Sequence, residues 1–196
     1  MSTLVEPSVI TEEQRLAYER DGYLLLAGFV GDGWLARLRE AADRFVERSR
    51  SMTRSDKVLD LEPGHTAEQP RLRRLISPVD HDEAFRSFAL EGPAAAGGRH
   101  PGRYGRYHHS KLNYKASDGG AQIDWHQDIQ FWPHTDFTPL TIGVYLDDVD
   151  DQMGPMGIVP RSHTGEAVRP VRRRRPLERL DPPRRPGASC WTPPTS

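Results

Sequence analysis

His126 and Asp128 stand two residues apart in the stretch Gln122-Ile-Asp-Trp-His126-Gln-Asp128. On an extended segment side chains alternate with period two, so this imidazole and this carboxylate point to the same side. One imidazole nitrogen and one carboxylate oxygen are two of the three donors of a 2-His-1-carboxylate facial triad, which leaves open positions on ferrous iron for an oxidant and O2. The third donor, a second histidine, is expected from a distant strand, yet no histidine follows His163. A bare His-x-Asp triplet arises often in solvated loops, so the surroundings decide its weight. Downstream lie Phe-Trp-Pro-His134, an apolar run Leu140-Thr-Ile-Gly-Val-Tyr-Leu146, then Gly154-Pro-Met156 and Pro160-Arg-Ser-His163-Thr-Gly165.

The elements that must position this pair are readable upstream. Thr11-Glu-Glu-Gln14 has the form of a capping box, which predicts a short helix to about Arg20 that Asp21-Gly22 stops. Tyr23-Leu-Leu-Leu-Ala27 reads as a buried strand. Asp32 is placed to cap a second helix, in which Leu35, Leu38, Ala42, Phe45 and Val46 recur at spacings of three and four and form one apolar face for a sheet. Strands are expected near 110–115, 123–128 and 140–146. In that frame Trp125 is expected to be mostly buried and Tyr145 to face a pocket.

Composition sets the outer bounds. A chain of 196 residues can bury one sizeable core. With 36% hydrophobic residues and a formal charge of -1, it has no electrostatic bias toward nucleic acid as a whole. No run approaches the roughly 20 apolar residues of a membrane span, and the N-terminus lacks a basic-then-apolar signal. A cytoplasmic location follows. The single cysteine, Cys190, excludes an intramolecular disulfide framework and fits a reducing compartment.

From His109 to Gly165 the chain resembles the phytanoyl-CoA dioxygenase family of Fe(II)/2-oxoglutarate-dependent oxygenases. The pieces that carry the resemblance are Ser110-Lys-Leu-Asn-Tyr-Lys115, Trp125-His-Gln-Asp128, the Leu-Asp-Asp-Val-Asp run at 146–150, Gly154-Pro-Met156 and the Pro-x-Ser-His-x-Gly block. A looser likeness extends over 11–90. The resemblance implies an α+β, mainly β fold: a double-stranded β-helix, the cupin-like jelly roll, with N-terminal helices. It implies Fe(II) and 2-oxoglutarate as cofactors, with ascorbate as an assay supplement. The implied reaction is hydroxylation of a small organic substrate coupled to decarboxylation of 2-oxoglutarate to succinate and CO2.

Site residues carry over one by one. His126 and Asp128 match the first two iron ligands of the family. Lys115 matches a basic residue that contacts a carboxylate of 2-oxoglutarate, a dianion that needs cationic donors. Gln127 and Tyr145 match positions lining the cosubstrate or substrate pocket. His163, in the Pro-x-Ser-His turn, shapes a loop in the family and does not bind iron. Arg161 stands where the family usually has glycine, which puts the tight turn there in question. Because related halogenases replace the carboxylate ligand with a small residue, Asp128 points to hydroxylation.

Two segments fit an ordered domain poorly. Residues 91–107 show no helical or strand periodicity, where the family usually has an apolar helix and a strand. Residues 167–196 hold eight Arg and seven Pro against Glu178 and Asp181, and 24 of the chain's 27 basic residues are Arg. Proline at that density forbids regular ladders, and the few apolar residues cannot offset ordering entropy. The expectation is a partial oxygenase domain over 1–166 followed by a disordered tail over 167–196. Such composition suits a shifted reading frame of a GC-rich coding sequence after Glu166, with 91–107 as a second slip. The distal strands, the second iron-binding histidine and the arginine for the far carboxylate of 2-oxoglutarate are then missing. Two other functions stay open: a non-catalytic family member, separable by iron-dependent turnover, and a basic tail that binds nucleic acid or a partner, separable by deleting 167–196.

Overall fold

The structure, a computed structural model, describes residues 10–98, 105–116, 123, 125–130, 138–150 and 152–165. These residues fall into two compact units. One holds 10–12, 26–98, 105–116 and 144–148; the other holds 13–25, 149–150, 152–165 and the described part of 123–143.

The first unit begins with helix α2 (Asp32–Ser49), numbered after α1 (Glu12–Asp21) of the second unit. Its apolar spacing is realised: Leu38, Ala42 and Phe45 are buried, while Trp34 and Val46 pack against the same core. The cap differs from expectation. Gly31 occupies the N-cap, and its carbonyl receives the amides of Trp34 and Leu35. Asp32 is the first helical residue and makes no cap hydrogen bond; there its charge still complements the positive end of the helix.

A three-stranded antiparallel sheet follows, in the order β1 (Leu59–Leu61), β2 (Leu72–Ile76), β3 (Lys111–Asn113). Leu59 pairs with Leu75, and Leu75 with Leu112, so one row of leucines runs across the sheet. Leu59 and Leu75 are fully buried against the apolar face of α2. His65 ties the β1–β2 connection to the helix. Its Nδ1 accepts the Arg71 amide at 2.9 Å and its Nε2 donates to the Ser49 carbonyl at 3.0 Å. On the strand side, the Tyr114 hydroxyl donates to the Ala42 carbonyl at 3.2 Å, and burial pushes that phenol well above its ordinary pKa.

Between β2 and β3 the chain forms α3 (Pro78–His81), α4 (Glu83–Leu90) and α5 (Pro93–Gly97). Asp82 caps α4 by accepting the Ala84 amide at 2.8 Å, and its other oxygen pairs with Arg44 of α2 at 2.7 Å. Phe85 and Phe88 of α4 are buried, with Trp34 edge-on to Phe88 at 5.6 Å. Helix α5 lies inside 91–107, the segment that shows no periodicity. With Pro93 at its start and three alanines behind it, one helical turn forms without any repeat to detect, and Ala96 is buried.

Three strand expectations are also corrected. Residues 23–26 are irregular, and Leu25 is 58% exposed. Residues 125–127 are irregular and run into a 3-10 turn, Asp128–Gln130; residues 140–145 carry no strand. A strand exists only where a neighbour supplies the ladder, and among the described residues none does so for these segments. Alternation survives at 144–146 even so: Val144 and Leu146 pack on the first unit's core while Tyr145 is exposed. The whole is a mixture of helix and a small antiparallel sheet. Helix outweighs strand among the described residues, against the mainly β expectation. No described helix is long and apolar enough to cross a membrane. His134 and the 167–196 tail lie outside the described residues.

Candidate metal centre

His126 and Asp128 meet in the second unit. His126 Nε2 lies 3.5 Å from Asp128 Oδ1, with the side chains 12% and 28% exposed. The convergence expected from an extended His-x-Asp is therefore present, although the carboxylate now opens a 3-10 turn. At metal–ligand distances of about 2.1 Å, donors this far apart subtend roughly 110° at a shared ion, which a single divalent metal accepts. The donor set, one imidazole and one carboxylate, suits iron. Among the described residues no group of three or more His, Cys, Asp or Glu is gathered, so a third donor is not among them.

Sequence reasoning missed Thr141. Its hydroxyl donates to Asp128 Oδ2 at 2.9 Å, which leaves Oδ1 turned toward the imidazole. No motif announces such a partner, since 13 residues separate the two in the chain. The side-chain amide of Gln127 donates to the Ser162 carbonyl at 3.4 Å. Trp125 corrects another expectation: it is 60% exposed, with its indole lying over Gly157, where a Cβ would come within 2.7 Å of Cη2.

The loop at 160–165 is fastened to the end of α1. The Arg161 amide donates to the Asp21 carbonyl at 2.8 Å, and His163 Nε2 donates to the Glu19 carbonyl at 3.0 Å. This contact requires Gly22, at φ +82, because a Cβ there would meet His163 Nδ1 at 2.2 Å. His163 thus serves the loop, with Nε2 committed to a carbonyl. The turn questioned at Arg161 does form, with that residue in the left-handed region at φ 67. Lys115 and Tyr145, both exposed, are carried by the first unit.

The sequence pattern of the family described as Phytanoyl-CoA dioxygenase (PhyH) matches residues 18–186, most of the chain. The chain belongs to the phytanoyl-CoA dioxygenase family. Within it, the chain is 29% identical over 155 residues to the "Probable alpha-ketoglutarate-dependent hypophosphite dioxygenase" of Stutzerimonas stutzeri, covering 79% of this chain and 54% of that one. It is 30% identical over 171 residues to the L-proline trans-4-hydroxylase of Streptomyces griseoviridis, covering 83% and 60%. Ectoine dioxygenase of Bordetella parapertussis is 28% identical over 167 residues, covering 79% and 50%. This phytanoyl-CoA dioxygenase family chain thus spans half to three fifths of the length of these curated relatives.

Proposed function

We propose that this protein is an Fe(II)/2-oxoglutarate-dependent dioxygenase that hydroxylates a small organic substrate, and that the chain as it stands holds iron weakly. The observation that carries the reading is the 3.5 Å approach of His126 Nε2 to Asp128 Oδ1 inside the segment matched to the family. Relatives whose names specify alpha-ketoglutarate dependence or hydroxylation support the choice of cosubstrate. Ferrous iron together with 2-oxoglutarate would supply the oxidising power for attack on an unactivated C–H bond.

The chain's own residues divide the work. His126 and Asp128 hold the metal, and Thr141 keeps the carboxylate turned so that Oδ1 is the donating oxygen. Lys115 offers its ammonium to a carboxylate of 2-oxoglutarate, and Gln127 and Tyr145 line the cosubstrate or substrate pocket. Asp128 fills the position that a halide would need, so hydroxylation is the outcome. The small sheet is the proximal part of a jelly roll, and the protein works in the cytoplasm. Two protein donors, the number gathered among the described residues, bind iron less tightly than three, and this is why we expect low turnover.

A titration with ferrous iron or its cobalt surrogate tests the metal reading. Binding should weaken sharply in His126→Ala and in Asp128→Ala; unchanged binding in both would sink it. Succinate release with iron, 2-oxoglutarate and ascorbate tests the weak-site reading. Robust turnover that disappears in His126→Ala would overturn the incomplete-site part while supporting the oxygenase part.

A further inference from the structure

Immediately before β3, residues 107–110 form a small closed loop that the oxygenase reading does not use. The Tyr107 hydroxyl donates to Ser110 Oγ at 2.8 Å, which ties the first residue of the loop to the last. Ser110 is itself held at the start of α3: its carbonyl accepts the Ser77 amide at 3.0 Å, and its Oγ accepts the Val79 amide at 3.4 Å. Between these ends stand His108 and His109, both exposed. Their Nδ1 atoms approach to 2.7 Å, and the ring planes stand 81° apart with centroids at 4.9 Å. Neighbours on an extended segment would point to opposite sides, so it is the local turn of the backbone that brings the two imidazoles together.

At this distance one Nδ1 carries a proton and the other accepts it, whichever tautomer holds. Loss of that proton to solvent leaves two nitrogen lone pairs facing a common point. The spacing then selects the ion. Nitrogens 2.7 Å apart subtend roughly 80° at an ion about 2.1 Å from each. Adjacent positions on a square-planar or octahedral ion ask for about 90°, which the rings reach by parting to about 3.0 Å. Tetrahedral zinc asks for about 109° and a separation of about 3.4 Å, a larger movement against the ties at Ser110. Calcium and magnesium are poor fits, because they take oxygen donors. Imidazole suits copper and nickel, whose divalent ions adopt tetragonal geometry. The described residues gather no group of three or more His, Cys, Asp or Glu, which leaves the remaining positions to water.

We propose that His108 and His109 form a surface site for a tetragonal divalent transition metal, copper(II) or nickel(II), held through both Nδ1 atoms with release of the shared proton to solvent. The site shares no residue with the His126 and Asp128 pair. Nickel(II) is the probe, since a thiol such as that of Cys190 reduces copper(II). It is titrated into the full chain while the amide signals of His108, His109 and Ser110 are followed by NMR. Substoichiometric nickel(II) should shift or broaden these signals, and zinc(II) should bind there about tenfold more weakly. His108→Gln and His109→Gln, exposed changes that leave the core intact, should each weaken nickel(II) at this loop by about tenfold or more. Asp128→Ala should leave the response at 108–110 as it is. A response that survives in either histidine variant overturns the proposal, as does equal binding of zinc(II) or the absence of any change at ~1 mM nickel(II). Loss of the response in Asp128→Ala overturns it too, by assigning the ion to the other pair. Because the signals at 108–110 report this loop alone, failure here leaves the reading of His126 and Asp128 standing.

Discussion

Asp128 uses its two oxygens differently, one receiving the Thr141 hydroxyl and the other facing His126. A hydrogen-bonded ligand keeps its orientation, and loss of such a partner typically costs tenfold or more in metal affinity. Thr141→Val should therefore weaken cobalt binding by about tenfold while leaving the circular dichroism spectrum unchanged. Equal affinities would show that the threonine does not orient the ligand. A second residue-scale test concerns Gly22, where positive φ and the His163 ring coincide. Gly22→Ala adds both strain and a clash, so it should destabilise the chain by about 2 kcal/mol in urea unfolding. His-x-Asp and Gly22 are visible in the sequence as types and spacings. Thr141 and the Glu19 carbonyl are not, because they become neighbours only through the path of the chain between them.

At the scale of elements, the β1 entry and the 160s turn make opposite predictions. Asp56 accepts the Leu59 and Val58 amides at 2.6 and 2.7 Å and pairs with Arg48, so its carboxyl is held below its ordinary value, chiefly by the Leu59 bond. A carboxyl depressed in the folded state adds stability that is complete above its unfolded pKa, and loses it as pH falls through the folded value. Stability should decline below about pH 4, and Asp56→Asn should flatten that acid limb; identical limbs would refute the assignment. Arg161 sits in the left-handed region, which costs a side-chain-bearing residue about 1–2 kcal/mol. Arg161→Gly should thus raise the unfolding free energy measured in urea by about 0.5–1 kcal/mol once the freedom gained by the unfolded chain is deducted. Helix α2 was legible from its 3.6-residue period. Helix α5 was not, since five residues carry no period, and the strands at 123–128 and 140–146 failed because alternation proposes a strand but only a partner creates one.

For the molecule as a whole, the second unit presents Trp125, Leu140, Ile142, Val149, Met153 and Val159 as exposed apolar side chains. Exposed apolar side chains in this number favour association. Strong enhancement of anilinonaphthalene sulfonate fluorescence and concentration-dependent light scattering are expected, and a monodisperse chain that binds no dye would contradict this. The ordered blocks between His109 and Gly165 were enough to place the chain in its family, because local pattern and spacing are properties of the sequence itself. The same sequence made Trp125 look like core and 140–146 like a laddered strand, since an apolar residue carries no record of whether another segment covers it. Tertiary structure alone decided the 3.5 Å meeting of His126 with Asp128, the Thr141 contact and the fastening of His163 to the Glu19 carbonyl. Each depends on distances between side chains separated along the chain, or on the rotation of a single carboxylate, and residue order sets neither until the backbone has closed around them.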